Sequence, residues 1–375
     1  MPLSFGRADA ALSHTFPLVH SPTIRWRMAR AWLFACALAT TAVPALAQSV
    51  PPMPDSSRAD APPTLELSGL AYFDYAYVLS SDDEDIEGGN SFDYRRIYFT
   101  ADYTLSDAFS GRLRFEAQGA STTAQGRPAP FVKDAYLRWD GAFAEGHRLT
   151  LGVQPPPLFQ VAERVWGYRS LAKTVLDRTK ANDSRDFGLR ADGPLVSSGA
   201  LRYSAMVANG NGLRPDPEGQ RGKHLYGQFE ARPSETLFAT LGADYTSHEA
   251  LIDERDETTR VTAFVGAITD TFQGGVEAFA SWTDFEDPLT ESASGVGVSA
   301  FGAVTLGDES QYSVVGRVDV VEGGAIGRSA DEIFGLAAFV YRPIPAVEIM
   351  PNLILTKPDG SDAEAEGRVT VHVRF

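Results

Sequence analysis

From Leu65 to the last residue, apolar side chains recur at every second position in sixteen separate segments. The first segment alternates Leu65 and Leu67 with Glu66 and Ser68, and the last segment ends on Phe375. A period of two is that of a β-strand whose two faces meet different surroundings. A chain built from such segments is expected to fold as an antiparallel β-sheet protein, although one strand alone does not distinguish a soluble sheet from a membrane barrel.

The connections between these segments alternate in length along the chain. The long ones are residues 80–91, 120–130, 155–185, 209–222, 247–258, 284–293, 322–331 and 357–366, and the short ones are 105–109, 140–147, 193–199, 233–236, 269–272, 307–310 and 341–346. Up-and-down outer-membrane barrels have short turns on one side and long loops on the other. Residues 64–375 are therefore predicted to form a transmembrane antiparallel up-and-down β-barrel of about sixteen strands, with a long third loop folding inward. Phe375 would be its assembly signal for the barrel-assembly machinery.

The N-terminal region predicts export. Arg25, Arg27 and Arg30 precede an apolar run, residues 31–47, that ends in small residues. This is the pattern of a cleaved secretory signal peptide, although a core helix is the alternative interpretation. Residues 1–47 are expected to be an N-terminal extension and signal, with Met28 as the true start. Residues 48–63, which are rich in proline, are expected to be a periplasmic lead-in.

Composition and spacing exclude several classes. The net charge is −16, and without residues 1–47 it is −19, because 29 basic and 48 acidic side chains remain; nucleic acid is therefore not an expected partner. After residue 50 no run approaches the roughly 20 apolar residues of a spanning helix. The four histidines after residue 47 are scattered and there is no G-x-S-x-G elbow, so the pattern gives no sign of a metal site, a cofactor or an enzyme. An outer-membrane protease or lipase with dispersed catalytic residues is the alternative.

Several short motifs within residues 92–212 resemble one porin family. They are Tyr94-Arg95-Arg96, residues 132–137 (VKDAYL), residues 151–159 (LGVQPPPLF), Phe187-Gly188-Leu189 and residues 207–212 (VANGNG). In this order they are similar to the phosphate-selective porin O/P family. The resemblance implies a sixteen-stranded, trimeric barrel that passes small anions through a channel narrowed and lined by basic residues. The negative net charge of the chain argues against selectivity for phosphate, which is itself negatively charged.

The longest connection, residues 155–185, is the expected constriction of the channel. A loop folded into a barrel narrows it and sets its electric field at close range. Val165 to Leu176 are expected to form a short helix, with Trp166 and Tyr168 anchoring the segment to the wall. Six basic side chains of this connection are candidates for attracting anions. The alternative, of equal weight, is that they pair with acidic groups of the wall. They are Arg164, Arg169, Lys173, Arg178, Lys180 and Arg185.

A second basic group follows from the period of two on the neighbouring strands. Arg96, Arg112, Arg114 and Arg138 should all point into the lumen. Fixed positive charges along a narrow path favour anions. Acidic side chains share the same faces, so a wall of ion pairs is the more conservative interpretation.

These patterns together predict a porin in the outer membrane of a Gram-negative-type bacterium. Small hydrophilic solutes, and anions such as phosphate in particular, would diffuse through it passively. Its surroundings would be lipid, lipopolysaccharide and the other subunits of a homotrimer. The alternative function is a closed barrel that acts as a receptor, an adhesin or a structural anchor.

Overall fold

A computed structural model describes residues 63–375, apart from residues 84, 120–121, 124–125, 182, 214–221, 250–254, 286–290, 308–310 and 324–330. The predicted signal peptide, the start at Met28 and the lead-in up to residue 62 lie outside the described residues and stay predictions. Among the described residues, no helix is long and apolar enough to cross a membrane.

Sixteen strands follow one another along the chain. They are β1 Thr64–Ser80, β2 Asn90–Thr104, β3 Phe109–Ala117, β4 Phe131–Asp140, β5 Arg148–Gln154, β6 Asp186–Pro194, β7 Leu201–Ala208, β8 His224–Ala231, β9 Leu237–Glu249, β10 Arg255–Ile268, β11 Phe272–Asp284, β12 Ala293–Leu306, β13 Tyr312–Gly323, β14 Glu332–Ile344, β15 Val347–Pro358 and β16 Glu364–Arg374. Each strand pairs with its sequence neighbours, and β1 pairs with β16, so the sheet is a closed barrel. The predicted fold and strand number are confirmed.

The seam between the first and last strands depends on a close backbone approach. Leu70 lies opposite Arg374, and the Phe375 N–H donates to the Gly69 carbonyl oxygen at 3.0 Å. The Phe375 ring covers Gly69, where an added Cβ would lie 2.3 Å from a ring atom. An added side chain would displace this exposed ring and would also lie 2.9 Å from the Tyr98 carbonyl oxygen, so glycine is favoured at this position.

The outer surface of the barrel is apolar, as the alternation predicts. Large side chains such as Leu241, Val265 and Val318 are more than half exposed on this face. Each strand is hydrogen-bonded to a neighbouring strand on both sides, so the sheet has no open edge, which is the condition for spanning a lipid bilayer. The short turns and the long loops lie at opposite ends of the barrel because consecutive strands run antiparallel.

Part of the inner surface is apolar, although the interior of an outer-membrane barrel is ordinarily polar. On β14, Phe334, Leu336 and Val340 point inward and are at most 5% exposed, while Ile333 and Phe339 face outward and are 52% and 41% exposed. Both faces of this strand are thus apolar. Protein, and not water, covers this inner face, whereas other inward residues on the same side of the barrel are polar, such as Arg260 of β10 and Asp319 of β13.

Residues 155–185 connect β5 to β6, which confirms the bounds of the predicted connection. A 3-10 turn, Pro157–Phe159, leads into helix α1, Gln160–Trp166, and helix α2 spans Val175–Arg178. The predicted single helix over residues 165–176 was wrong. Gly167 adopts the left-handed conformation with φ of 70° and ends α1 after Trp166.

Candidate functional site: the barrel interior

Helix α1 and the turn that follows it pack against the inner faces of β10 to β15. Val165 and Trp166 are 0% and 1% exposed, and the Trp166 ring meets Phe301 of β12 edge to face at 5.1 Å between centroids. Leu171 and Met350 of β15 belong to the same apolar cluster. Burying apolar side chains of this size contributes roughly 1.5–3 kcal/mol each, so the cluster docks the segment firmly.

Polar contacts fix the segment on the same side of the barrel. Arg178 donates to Asp319 of β13 at 3.0 Å, pairs with Glu332 of β14, and lies over the Phe334 ring at 4.3 Å. The Glu277 carboxylate of β11 accepts the backbone N–H of Val175 at 3.2 Å. These contacts reach strands remote in sequence from β5 and β6, and all of them are on inner faces, so the segment lies inside the barrel.

The remaining contacts hold the segment at its turn and at its end. Arg95 of β2 donates to the backbone carbonyl oxygen of Leu171 at 3.2 Å, and Arg342 of β14 donates to the Tyr168 hydroxyl at 2.9 Å. At the end of the segment, Arg185 pairs with Asp134 of β4. Trp166 and Tyr168 thus contact the wall, as the sequence indicated.

The opposite side of the interior is different. A cavity of about 480 Å³ lies between the start of the segment and the inner faces of β3 to β8, near the end of the barrel that carries the short turns. We refer to this space as the arginine cavity. Seven arginines line it, against Asp192 and Glu230 as the carboxylates in the lining. The arginines are Arg112, Arg138, Arg148, Arg164, Arg190, Arg202 and Arg232.

Five of these arginines bind carboxylates. Three strand arginines each pair with their own aspartate, at 2.6 to 2.7 Å, and two others share Glu230, at 2.7 and 2.9 Å. These pairs are Arg112 with Asp102, Arg148 with Asp140, Arg190 with Asp192, and both Arg164 and Arg232 with Glu230. With Asp102 and Asp140 included, seven guanidinium groups still face four carboxylates, which leaves a local charge of +3 in an acidic chain.

The six predicted constriction residues do not come together. Arg164 lines the arginine cavity. Arg169 is bound by Glu163 and Asp177, Lys173 by Asp177, and Lys180 is exposed with a φ of 57°. Together with the pairing of Arg178 and Arg185 described above, these contacts favour a structural role for most of the group over a direct role in attracting anions.

The ion pairs inside the segment are strong. Burial alone would raise the pKa of the Asp177 carboxyl, but Arg169 and Lys173 lower it to about 2. Burial opposes the charge of Arg169 as well, yet Glu163 and Asp177 raise its pKa above the ordinary value. Both groups are therefore charged at neutral pH, and they hold α1 and α2 together.

The four predicted wall arginines lie on the inner face. Two of them lie in the buried wall, and the other two line the arginine cavity. Arg96 pairs with Glu116 at 2.9 Å, and Arg114 reaches Asp134 at 3.3 Å, both in the buried wall of β2 to β4. Arg112 and Arg138 line the arginine cavity. The conservative interpretation of paired wall charges fits Arg96, Arg114 and also Arg112, which pairs with Asp102.

Sequence reasoning missed four residues of the cavity. They are Arg148, Arg190, Arg202 and Arg232, on or next to β5 to β8. The alternation that placed Arg112 and Arg138 inside would have placed these arginines inside as well, had it been followed across the next four strands. Among the described residues, no group of three or more His, Cys, Asp or Glu side chains is placed to hold a metal ion.

Comparisons with known proteins identify the fold. Neither a family model nor a curated protein sequence matches the chain, so the phosphate-selective family is not confirmed. An anion-selective porin from Comamonas acidovorans has a TM-score of 0.62 at 13% identity, over 84% of this chain and 100% of that chain. The trimer form of OmpT, an outer membrane protein of Vibrio cholerae, has a TM-score of 0.58 at 13% identity, over 84% and 100%.

The outer membrane channel DcaP of Acinetobacter baumannii has a TM-score of 0.58 at 12% identity, over 84% of this chain and 97% of that chain. At these identities the likeness shows a shared barrel fold and no shared solute.

Proposed function

We propose that this chain is an outer-membrane porin through which small hydrophilic solutes, and anions in preference to cations, diffuse passively. The arginine cavity is the observation that carries the proposal. It faces the docked segment inside a closed barrel and has a local charge of +3, although the chain as a whole has a net charge of −16. A fixed positive charge beside a narrow path favours anions and repels cations.

The membrane location rests on the outer surface. A closed barrel whose outward side chains are apolar needs a lipid environment, and a barrel of this type belongs in the outer membrane of a Gram-negative-type bacterium. Lipid and lipopolysaccharide would surround it. A homotrimer is part of the proposal, supported by the trimer form of the OmpT structure that shares this fold.

The proposed mechanism is diffusion without catalysis or a cofactor. A solute enters from the side of the long loops, passes the segment 155–185 where it faces β3 to β8, and leaves past the arginine cavity. The side of the lumen next to β10 to β15 is closed by the apolar cluster, so the path lies off the barrel axis. Selection then depends on the width of the remaining space and on the charge of its wall. Phosphate is one of the anions that such a wall would admit.

Planar-bilayer recordings of the purified protein in a KCl gradient test the proposal. The expected result is a steady ion current whose zero-current potential has the sign of chloride preference. A cation preference would contradict the anion selectivity, and heat-modifiable folded protein without any current would contradict the porin. The latter result would favour the receptor, adhesin or anchor.

A further inference from the structure

We propose that Arg138 and Arg202 form a binding site for an organic anion with two separated negative groups, carboxylate or phosphate. The proposal rests on the anion channel described above and extends it, because a wall that merely favours anions does not retain a particular solute. A site of this kind would make the flux of the matching solute saturable.

The two arginines differ from the other five in the cavity by lacking carboxylate partners. Within the described part of the chain, Arg138 donates only to the Tyr136 hydroxyl, at 3.4 Å, and its Nε atom is buried without a partner. Arg202 has no hydrogen bond or ion pair among the described residues. A buried donor without an acceptor costs free energy, and an anionic ligand would remove that cost at Arg138. The same ligand would give Arg202 the charged partner that it lacks.

The strand register separates the two groups in a defined way. Arg138 of β4 lies opposite Thr150 of β5, which lies opposite Arg190 of β6. Arg202 stands on β7, the next strand. Arg190 lies opposite Met206, which is four residues from Arg202 on β7. Three strand spacings of about 4.8 Å and an offset of roughly 13 Å along the strand therefore place the backbones of the two arginines roughly 20 Å apart along the wall. Long side chains that reach inward from both positions are suited to the two ends of one ligand.

Arg190 lies between the two and is already saturated. It donates to Asp192 at 2.8 Å, to the Pro155 carbonyl oxygen at 3.2 Å and to the Ser204 hydroxyl at 3.1 Å. Its charge contributes to the field, but its donors are committed to the protein. Arg138 and Arg202 thus differ from Arg190 in that no carboxylate of the described chain neutralises their charge.

The size and composition of the cavity indicate the class of ligand. Its volume of about 480 Å³ is in the range of roughly 300–1,000 Å³ for small-molecule sites, and an inorganic anion would fill only a fraction of it. The cationic lining residues are all arginines, without a lysine among them in the described chain. Arginine presents a planar fork that binds carboxylate or phosphate through two parallel hydrogen bonds.

The test measures block of the chloride current by added anions in planar bilayers. Succinate and phosphoglycolate are the two-headed probes, and acetate and inorganic phosphate are the single-headed controls. The variants are Arg138→Gln, Arg202→Gln and Arg232→Gln. The third removes the same charge from the same cavity, while Glu230 keeps Arg164 as its partner. Heat-modifiability on gels establishes that each variant is folded.

Block by a two-headed probe is expected to weaken about tenfold or more in Arg138→Gln and in Arg202→Gln, and by less than about threefold in Arg232→Gln. Equal weakening in all three variants, or equal block of the wild type by acetate and succinate, would overturn the site in favour of a diffuse field. Calorimetric titration of the folded protein with succinate separates the two proposals. Binding without any channel current would contradict the porin and leave the site standing, whereas current without binding would do the reverse.

Discussion

The inner faces of β10 to β15 and those of β3 to β8 meet the same segment, residues 155–185, in different ways. The first group packs against it through Trp166, Phe301 and their neighbours with little space between. The second group also contacts it, through the cluster of Phe159 with Met206 and Tyr226, but leaves the arginine cavity beside the start of the segment. One side therefore resembles the core of a soluble protein, and the other combines a docking contact with an open space. The difference shows that the segment can narrow the path because both sides hold it in place, while the cavity leaves room on one side.

The largest expected effect is on the apolar side. Trp166→Ala removes a side chain that is 1% exposed, a change that typically costs about 3–5 kcal/mol. We expect the segment to leave the wall and the single-channel conductance to rise severalfold. Trp139→Ala is the matched control, because Trp139 faces outward and is 42% exposed. An unchanged conductance in Trp166→Ala would show that the apolar cluster does not hold the segment.

The next effect tests the polar contacts on the same side. Arg178→Met removes the pairs with Asp319 and Glu332, while Arg317 remains bound to Asp319 at 2.7 Å. Because one partner is retained, we expect a smaller loss, about 1–3 kcal/mol. It should be seen as more frequent current fluctuations without a large rise in mean conductance. If the current fluctuates no more often than in the wild type, the apolar cluster alone holds the segment in place.

The comparison is sharpened by reversing a charge on the arginine side. Arg202→Glu changes the charge of the cavity by two units, so the preference for chloride should fall strongly. The zero-current potential should then move toward the value of a potassium-selective channel. Lys180→Glu is the control, because it makes the same charge change at an exposed position of the segment that does not line the cavity. Equal shifts in the two variants would mean that net charge, and not the cavity, sets the selectivity.

The smallest expected effect is the pH dependence of the docking of the segment. The pKa of Asp177 is lowered from 3.8 to about 2, so its contribution to docking is complete above about pH 4 and is lost as the pH falls toward 2. The difference in current fluctuations between the wild type and Asp177→Asn should therefore be constant from pH 7 to pH 4 and shrink below it. A difference that already declines between pH 7 and pH 5 would contradict this assignment.

The fold could be predicted from the sequence because the pattern that specifies it is local. Alternation in each strand and the alternating length of the connections gave the number of strands, the antiparallel order and the bounds of residues 155–185. The apolar inner face of β14 was also visible, since residues 333–341 (IFGLAAFVY) are apolar at both parities. It was not predicted, because the interior of an outer-membrane barrel is ordinarily polar.

The site could be predicted only in part. The alternation shows that Arg112 and Arg138 point inward, but not which arginine meets a carboxylate from another strand. Arg178 meets Asp319 across 141 residues of sequence, and no local pattern encodes such a contact. The local surplus of charge near Arg202 likewise depends on which neighbours the barrel brings together.

The apolar inner faces of β13 and β14 affect how the barrel can assemble. With residues 155–185 undocked, these strands would expose apolar side chains to lipid on one side and to water on the other. An empty closed barrel is therefore a high-energy intermediate of assembly, and its population should be low. Insertion of the segment and closure of the β1–β16 seam are then expected to occur as one cooperative event, so a half-built channel would not persist as a leak in the membrane.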